Sequence, residues 1–92
     1  MDRPHETLKV IDFDVEDLFS GESRDWQYAI DAARFSHREA CEFMFFLFPA
    51  PEQEAHFNDE VAAAERFGCS GDFIECLRWA RAQGAHWAMF HV

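Results

Sequence analysis

An apolar run at positions 42–48 (EFMFFLF) limits the folds that are open to this 92-residue chain. As a helix, the run would be apolar nearly all round, which requires deep burial or an interface. As a strand, it would lie buried in a sheet and be bounded by the prolines that follow it. Ser36 and Glu39 have the spacing of a capping box, which favours a helix. We therefore predict a helix over 37–48 and keep a strand over 42–48 as the alternative.

The other elements follow from periodicity and from stop signals. Residues 7–13 and 85–92 alternate as strands do, with apolar side chains on both faces. Helical spacing, capping residues and glycines predict further helices at about 24–34, at about 51–67 and at 71–83. Two strands alone are marginally stable, so helices must cover the pair or a third strand must join it.

These elements predict one α+β domain spanning residues 1–92. About four short helices would pack on a small sheet in which the N- and C-terminal strands are adjacent. If the run at 42–48 is a strand, the fold becomes a small three-stranded α/β sheet. The hydrophobic share of 49% and the aromatic share of 16% are sufficient for a buried core and exclude intrinsic disorder.

The charge balance bears on the classes of partner. Eighteen Asp and Glu stand against eight Lys and Arg, which gives a formal net charge of -10. Phosphate binding needs clustered Lys and Arg, and the sequence has no such cluster, so direct binding to nucleic acid or to an anionic membrane is disfavoured. The field of the protein would instead attract a basic protein or nucleoprotein complex, although solubility alone would also account for the charge.

Carboxylates and aromatic side chains are interleaved at the end of the first strand and beyond it. Spaced carboxylates can imitate the phosphate charges of a nucleic acid, and aromatic side chains beside them can anchor a protein partner. The alternative is a solvated polar face whose aromatic side chains belong to the core. We predict a partner-binding surface formed by Asp12, Asp14, Glu16, Asp17, Phe19, Glu22, Asp25 and Trp26.

Catalytic and targeting signals are lacking in the sequence. It has no phosphate-binding loop, dinucleotide fingerprint, nucleophile elbow or zinc-protease helix, so we predict a non-enzymatic protein that needs no cofactor. Its three cysteines cannot all pair, which indicates a reducing compartment. Because neither a signal peptide nor an apolar segment of bilayer length is present, we predict a cytoplasmic protein.

A metal site is the least favoured alternative. His37 and Cys41 would share one face of the predicted helix over 37–48, as a pair of ligands requires. Cys69 and Cys76 could complete four ligands if later helices fold back. Six residues separate these two cysteines, however, and structural zinc sites typically use a shorter spacing, so we predict no metal.

The aromatic content suggests self-association as another alternative. The chain has fifteen aromatic residues (eleven Phe, three Trp and one Tyr). Tyr28, Phe45, Phe46 and Trp79 lie outside the simplest helical stripes. A large exposed apolar patch usually marks an interface, and homodimerisation through the helix over 37–48 would cover it.

The function that these features favour is the occlusion of a basic, nucleic-acid-binding surface on a partner protein. In size and charge balance alone, the chain resembles the phage-encoded inhibitors of bacterial defence, such as anti-CRISPR proteins. Those inhibitors share no common motif, so the resemblance assigns no residue. A self-associating accessory module and a metal-binding regulator remain the alternatives.

Overall fold

The computed structural model of the protein describes residues 9–15, 23–37 and 42–91. Within these ranges the chain forms four strands and three α-helices. In chain order the elements are β1 (Val10–Asp14), α1 (Arg24–Ala32), β2 (Phe35–His37), β3 (Glu42–Phe46), a 3₁₀ turn (Pro51–Gln53), α2 (Glu54–Phe67), α3 (Gly71–Ala82) and β4 (Trp87–His91). The predicted α+β class is confirmed, although the described part contains three α-helices and not about four.

The four strands form one sheet in the order β1-β4-β3-β2. The terminal strands β1 and β4 are adjacent, as predicted, and run parallel, with Ile11 opposite Ala88. Strand β3 pairs antiparallel with β4 and with β2. The last strand of the chain therefore lies inside the sheet, where both of its neighbours fix its register.

The predicted helix over 37–48 is wrong. Positions 42–46 form β3, which confirms the strand of the alternative, and Ser36 lies in the edge strand β2 and not at a helix N-terminus. The physical reason is that a central strand has two neighbours and two faces to cover the apolar run. Phe43 and Phe45 are buried under the helices, and Phe46 is half-buried on the opposite face. Because β2 pairs with β3 as a further edge strand, the sheet has four strands and not the three of the alternative.

The helix boundaries follow the capping signals in the sequence. The Ser23 side chain begins α1 by accepting a hydrogen bond from the Trp26 backbone N–H, over 3.1 Å. Gly68 ends α2 with a φ of 102°, a left-handed conformation that glycine adopts without a Cβ clash. The Ser70 side chain begins α3 in the same way, by accepting a hydrogen bond from the backbone N–H of Phe73. Gly84, with a φ of 81°, follows the end of α3.

The helices pack on one face of the sheet, and the core lies between these two layers. From the sheet, the fully buried Phe43 and Phe90 face this core. The Phe90 ring centroid is 4.7 Å from that of Phe73 on α3. Tyr28 on α1 stacks against Phe45 at 6.0 Å between ring centroids. Tyr28 and Phe45, which fall outside the simplest helical stripes, are therefore core residues.

Candidate functional site

The second face of the sheet, turned away from the described helices, carries side chains that the core does not use. We call it the outer face. Alternate residues of all four strands point to it, because successive side chains of a strand point to opposite faces. Its members are Val10, Asp12 and Asp14 on β1, Trp87, Met89 and His91 on β4, Glu42, Met44 and Phe46 on β3, and Phe35 and His37 on β2.

The centre of the outer face is apolar. Trp87 lies between two phenylalanines, with its ring centroid 5.0 Å from Phe46 and 5.5 Å from Phe35. Phe35 is 59% exposed and Val10 is 45% exposed. Val10 and Phe35 lie on the two edge strands, on either side of Trp87 and Phe46. Large exposed apolar side chains on one face are typical of an interaction surface.

One end of the outer face is polar. The strand register places Asp14, His91, Glu42 and His37 side by side in one row across the four strands. Carboxylates and imidazoles alternate in this row, at the separation of neighbouring strands, about 4.7–4.9 Å. Asp12 adds a third carboxylate in the adjacent row, opposite Met89. The outer face therefore joins an apolar centre to an acidic border.

Arg34 and Lys9 are described cations that lie near the sheet. The guanidinium carbon of Arg34 is 6.0 Å from the centroid of the Phe46 ring. The ammonium group of Lys9 donates a hydrogen bond to the carbonyl of Gln83, over 2.9 Å. The Lys9 charge is thereby held at the C-terminal end of α3, where it interacts favourably with the helix dipole.

A groove of about 170 Å³ crosses the outer face beside strand β2. Met44 and Met89 are neighbours in one row of the sheet, and Phe35 continues that row on β2. Glu42 and His37, which are exposed, lie in the next row and line the same groove. The groove thus has an apolar floor and an exposed carboxylate at one end.

The predicted site residues that the structure describes differ in their exposure. Asp12 and Asp14 are exposed and share the outer side of β1. Asp25 is only 3% exposed, and its carboxylate accepts hydrogen bonds from the backbone N–H and the hydroxyl of Ser70. Trp26 is half-buried, with its ring edge-on to Phe43 at 5.3 Å. Asp25 and Trp26 therefore contribute to the fold and are not part of the outer face.

Four further residues of the predicted surface lie outside the described residues: Glu16, Asp17, Phe19 and Glu22.

The outer-face residues of β3 and β4 were not identified as a site from the sequence. The relevant signal was present, because the strand at 85–92 is apolar on both faces. A two-sided apolar strand is typical of a sheet covered on both sides, as in α/β folds. In this protein one apolar side instead forms the centre of the outer face.

The two described cysteines are poorly suited to nucleophilic chemistry. Burial, followed by the neighbouring charge of Asp25 and a hydrogen bond to its carboxylate, raises the pKa of the Cys69 thiol to about 12. Burial, followed by the charge of Asp72, also raises the pKa of the Cys76 thiol. Because the thiolate is the reactive form, both groups are poor nucleophiles at neutral pH.

The alternative of a metal site depends on a helical spacing between His37 and Cys41. His37 lies in strand β2, so a helical spacing does not relate it to Cys41, which is outside the described residues. Among the described residues, no group of three or more His, Cys, Asp or Glu side chains is arranged to hold a metal ion.

Within the described part of the chain, no helix has both the length and the apolar character needed to cross a membrane.

Comparison with known proteins provides no family for this chain. No protein-family model, curated protein or solved structure matches it. Any function must therefore be inferred from the chemistry and geometry of its own residues.

Proposed function

We propose that this protein is a non-enzymatic binding protein that docks on a basic surface of a partner protein and occludes it. The observation that best supports the proposal is the composition of the outer face. Phe35 and Val10 are exposed there, the ring of Trp87 lies between them, and Asp12 and Asp14 stand on the outer side of β1. An apolar centre bordered by charge is the usual composition of a protein interface.

The two parts of the outer face would contribute differently to binding. Aromatic side chains such as Phe35 and Trp87 bury a large area with few rotatable bonds, so they are expected to supply most of the affinity. The carboxylates of Asp12, Asp14 and Glu42 would accelerate association with a basic partner and reject acidic ones. The net charge of -10 acts in the same direction at longer range.

Charge also favours a protein partner over a nucleic acid. Aromatic side chains on an exposed sheet can stack with bases, but such surfaces track the backbone with Lys and Arg. Here Asp12, Asp14 and Glu42 share the face, and among the described cations Arg34 lies against one of its rings. Phosphates would be repelled by this arrangement. The finer proposal is that the occluded surface is itself one that binds nucleic acid, as in the inhibitors that the chain resembles in size and charge.

Self-association through the outer face is the second candidate, because Phe35 is 59% exposed. Two copies packed through the same face would bring two sets of Asp12, Asp14 and Glu42 together. Like charges at a desolvated interface cost several kcal/mol, so a basic partner is favoured over a second copy. A protein that sediments as a monomer at high concentration would remove this candidate.

The experiment is a pull-down from a lysate of the source organism at low and at high salt, with the bound proteins identified. The test variant is Asp12→Lys with Asp14→Lys, and the control is Asp59→Lys with Glu65→Lys, which reverses two exposed charges on α2. We expect a basic protein that is retained at low salt, released at high salt, lost by the β1 variant and kept by the α2 control. Equal melting temperatures would show that the variants differ in binding and not in folding.

A second step tests occlusion itself. The captured partner is purified, and its binding to a labelled oligonucleotide is measured with and without this protein. Displacement of the oligonucleotide by the wild type and not by the β1 variant supports the proposal. Capture of a partner by the β1 variant as well, or of an acidic partner only, contradicts it.

A further inference from the structure

We infer that the groove on the outer face receives an arginine side chain of the partner. This inference rests on the proposed function, because it assumes that the outer face is the docking surface, and it specifies what the partner inserts. The groove is lined by Phe35, His37, Glu42, Met44 and Met89, together with Ser36.

The arrangement of the groove defines the shape of its occupant. Phe35, Met44 and Met89 lie in one row across three neighbouring strands, and Glu42 lies in the next row. A side chain that enters along the strands would first cross apolar atoms and then reach a carboxylate. The occupant must therefore have an apolar stem and a polar end group.

The exposed carboxylate decides the charge of that end group. Glu42 is exposed, so water can reach its carboxylate. An apolar group in the groove would exclude this water without replacing its hydrogen bonds, and an acidic group would add repulsion, both of which are costly. A cation would compensate the carboxylate, and Asp12, which lies opposite Met89, would reinforce the same preference.

Arginine fits the groove better than lysine. Its three methylenes would lie on the thioether side chains of Met44 and Met89, which adapt readily to irregular surfaces. Its planar guanidinium can stack on the Phe35 ring and donate two parallel hydrogen bonds to Glu42. The ammonium group of lysine is a compact and strongly hydrated charge, with no planar face to stack on the ring and no fork of parallel donors. The chain itself places one guanidinium against an aromatic ring of this face, Arg34 against Phe46.

The test uses a small probe and does not require the natural partner. The protein is prepared with methyl-labelled methionines. The capped tripeptide acetyl-Gly-Arg-Gly-amide is then titrated into it while the methyl resonances of Met44 and Met89 are followed by NMR. Parallel titrations use the same peptide with lysine and with citrulline, which keeps the shape of arginine without its charge. We expect saturable shifts of both methyl resonances, with weak, roughly millimolar affinity for arginine.

The expected order is arginine, then lysine, then citrulline, with citrulline at least about tenfold weaker because charged hydrogen bonds are lost. The Glu42→Gln variant should weaken arginine binding by a similar factor, and Phe35→Ala should remove the preference for arginine over lysine. Glu75→Gln on α3 is the matched control, because Glu75 is exposed on a helix outside the groove. Equal binding of citrulline and arginine, or full binding by Glu42→Gln, would overturn the inference.

The two proposals fail in different experiments. Loss of partner capture in the β1 variant concerns Asp12 and Asp14, whereas the peptide titration depends on Glu42 and Phe35. Partner capture without peptide binding would leave the docking proposal standing and refute the arginine anchor. Peptide binding in the groove without capture of any basic partner from the lysate would refute the docking proposal and leave arginine binding by the groove standing.

Discussion

The carboxylate of Asp25 accepts two hydrogen bonds from Ser70, one from its backbone N–H over 2.8 Å and one from its hydroxyl over 2.6 Å. The same hydroxyl oxygen accepts the backbone N–H of Phe73 at the start of α3. Asp25 itself lies in the first turn of α1. One buried carboxylate thus joins the N-terminal ends of two helices and lies near both positive dipole ends.

Replacing Asp25 by asparagine is expected to destabilise the fold. The amide keeps one acceptor oxygen, but it loses the charge and presents a donor NH₂ to donors of Ser70. Hydrogen bonds to a charged group contribute about 1.5–3 kcal/mol, and we expect a loss of that order in the free energy of unfolding. Urea unfolding followed by circular dichroism measures it. Asp31→Asn, an exposed change on the same helix, is the control and should stay within about 0.5 kcal/mol of the wild type.

Two glycines at the ends of neighbouring helices should respond to alanine with opposite signs. Gly68 has a φ of 102°, and a Cβ there would meet the Arg24 side chain at an ordinary distance of 3.6 Å, so the cost of Gly68→Ala comes from the backbone. We expect a loss of about 1–2 kcal/mol. Gly71 is the first residue of α3, and a Cβ there would meet nothing within 4 Å. Gly71→Ala should therefore stabilise the protein by about 0.5–1 kcal/mol. Equal signs in urea unfolding would contradict this explanation.

Sequence reasoning predicted the helices at 51–67 and 71–83 because their boundaries depend on local signals. Gly68 and Ser70 act through the backbone beside them, and such effects can be recognised from neighbouring residues alone. The prediction of a helix over 37–48 was wrong because the conformation of that segment depends on distant residues. Phe43 lies opposite Phe90, 47 positions later, and no local pattern contains that pairing. The capping-box spacing of Ser36 and Glu39 was a local signal, whereas Ser36 lies in strand β2.

The candidate site was predictable only in part, for a related reason. Asp12 and Asp14 were placed on one strand face by simple alternation, and the structure has them there. Asp25 was grouped with them by its charge, whereas its burial depends on Ser70, 45 positions away. The groove combines side chains of three strands, so it exists only once the register of the sheet is known.

Two phenylalanines on opposite faces of the sheet should differ sharply in their effect on stability. Phe90 is fully buried and its ring contacts Phe73, so Phe90→Ala should cost about 3–5 kcal/mol. Phe35 is 59% exposed, and Phe35→Ala should cost less than about 1 kcal/mol. If Phe90→Ala does not fold, Phe90→Leu provides a milder comparison by the same urea titration. A large loss of stability for Phe35→Ala would mean that the outer face is part of the core.

The stability of the protein should fall at alkaline pH, and Cys69 should account for part of the fall. Burial raises the pKa of the Cys69 thiol from 9.0, and that of the Tyr28 hydroxyl from 10.0, to about 12. Above about pH 9 the unfolded chain loses the Cys69 proton while the folded chain keeps it. The unfolded state then binds fewer protons, so the free energy of unfolding decreases as pH rises towards 12. Below pH 9 this contribution is fully present.

The measurement is urea unfolding of the wild type and of Cys69→Ala at about pH 7.5, 9.5 and 10.5. Groups that titrate alike in both proteins cancel in the difference between them. The Cys69 charge also contributes to the raised pKa of Tyr28, so in the wild type alone Tyr28 adds to the loss of stability in the same direction. The stability advantage of the wild type over Cys69→Ala should therefore shrink as pH rises, because only the wild type has this thiol to ionise on unfolding. A difference that stays constant across the three pH values would mean that Cys69 has the same pKa in the folded and unfolded chains, contrary to its burial beside Asp25.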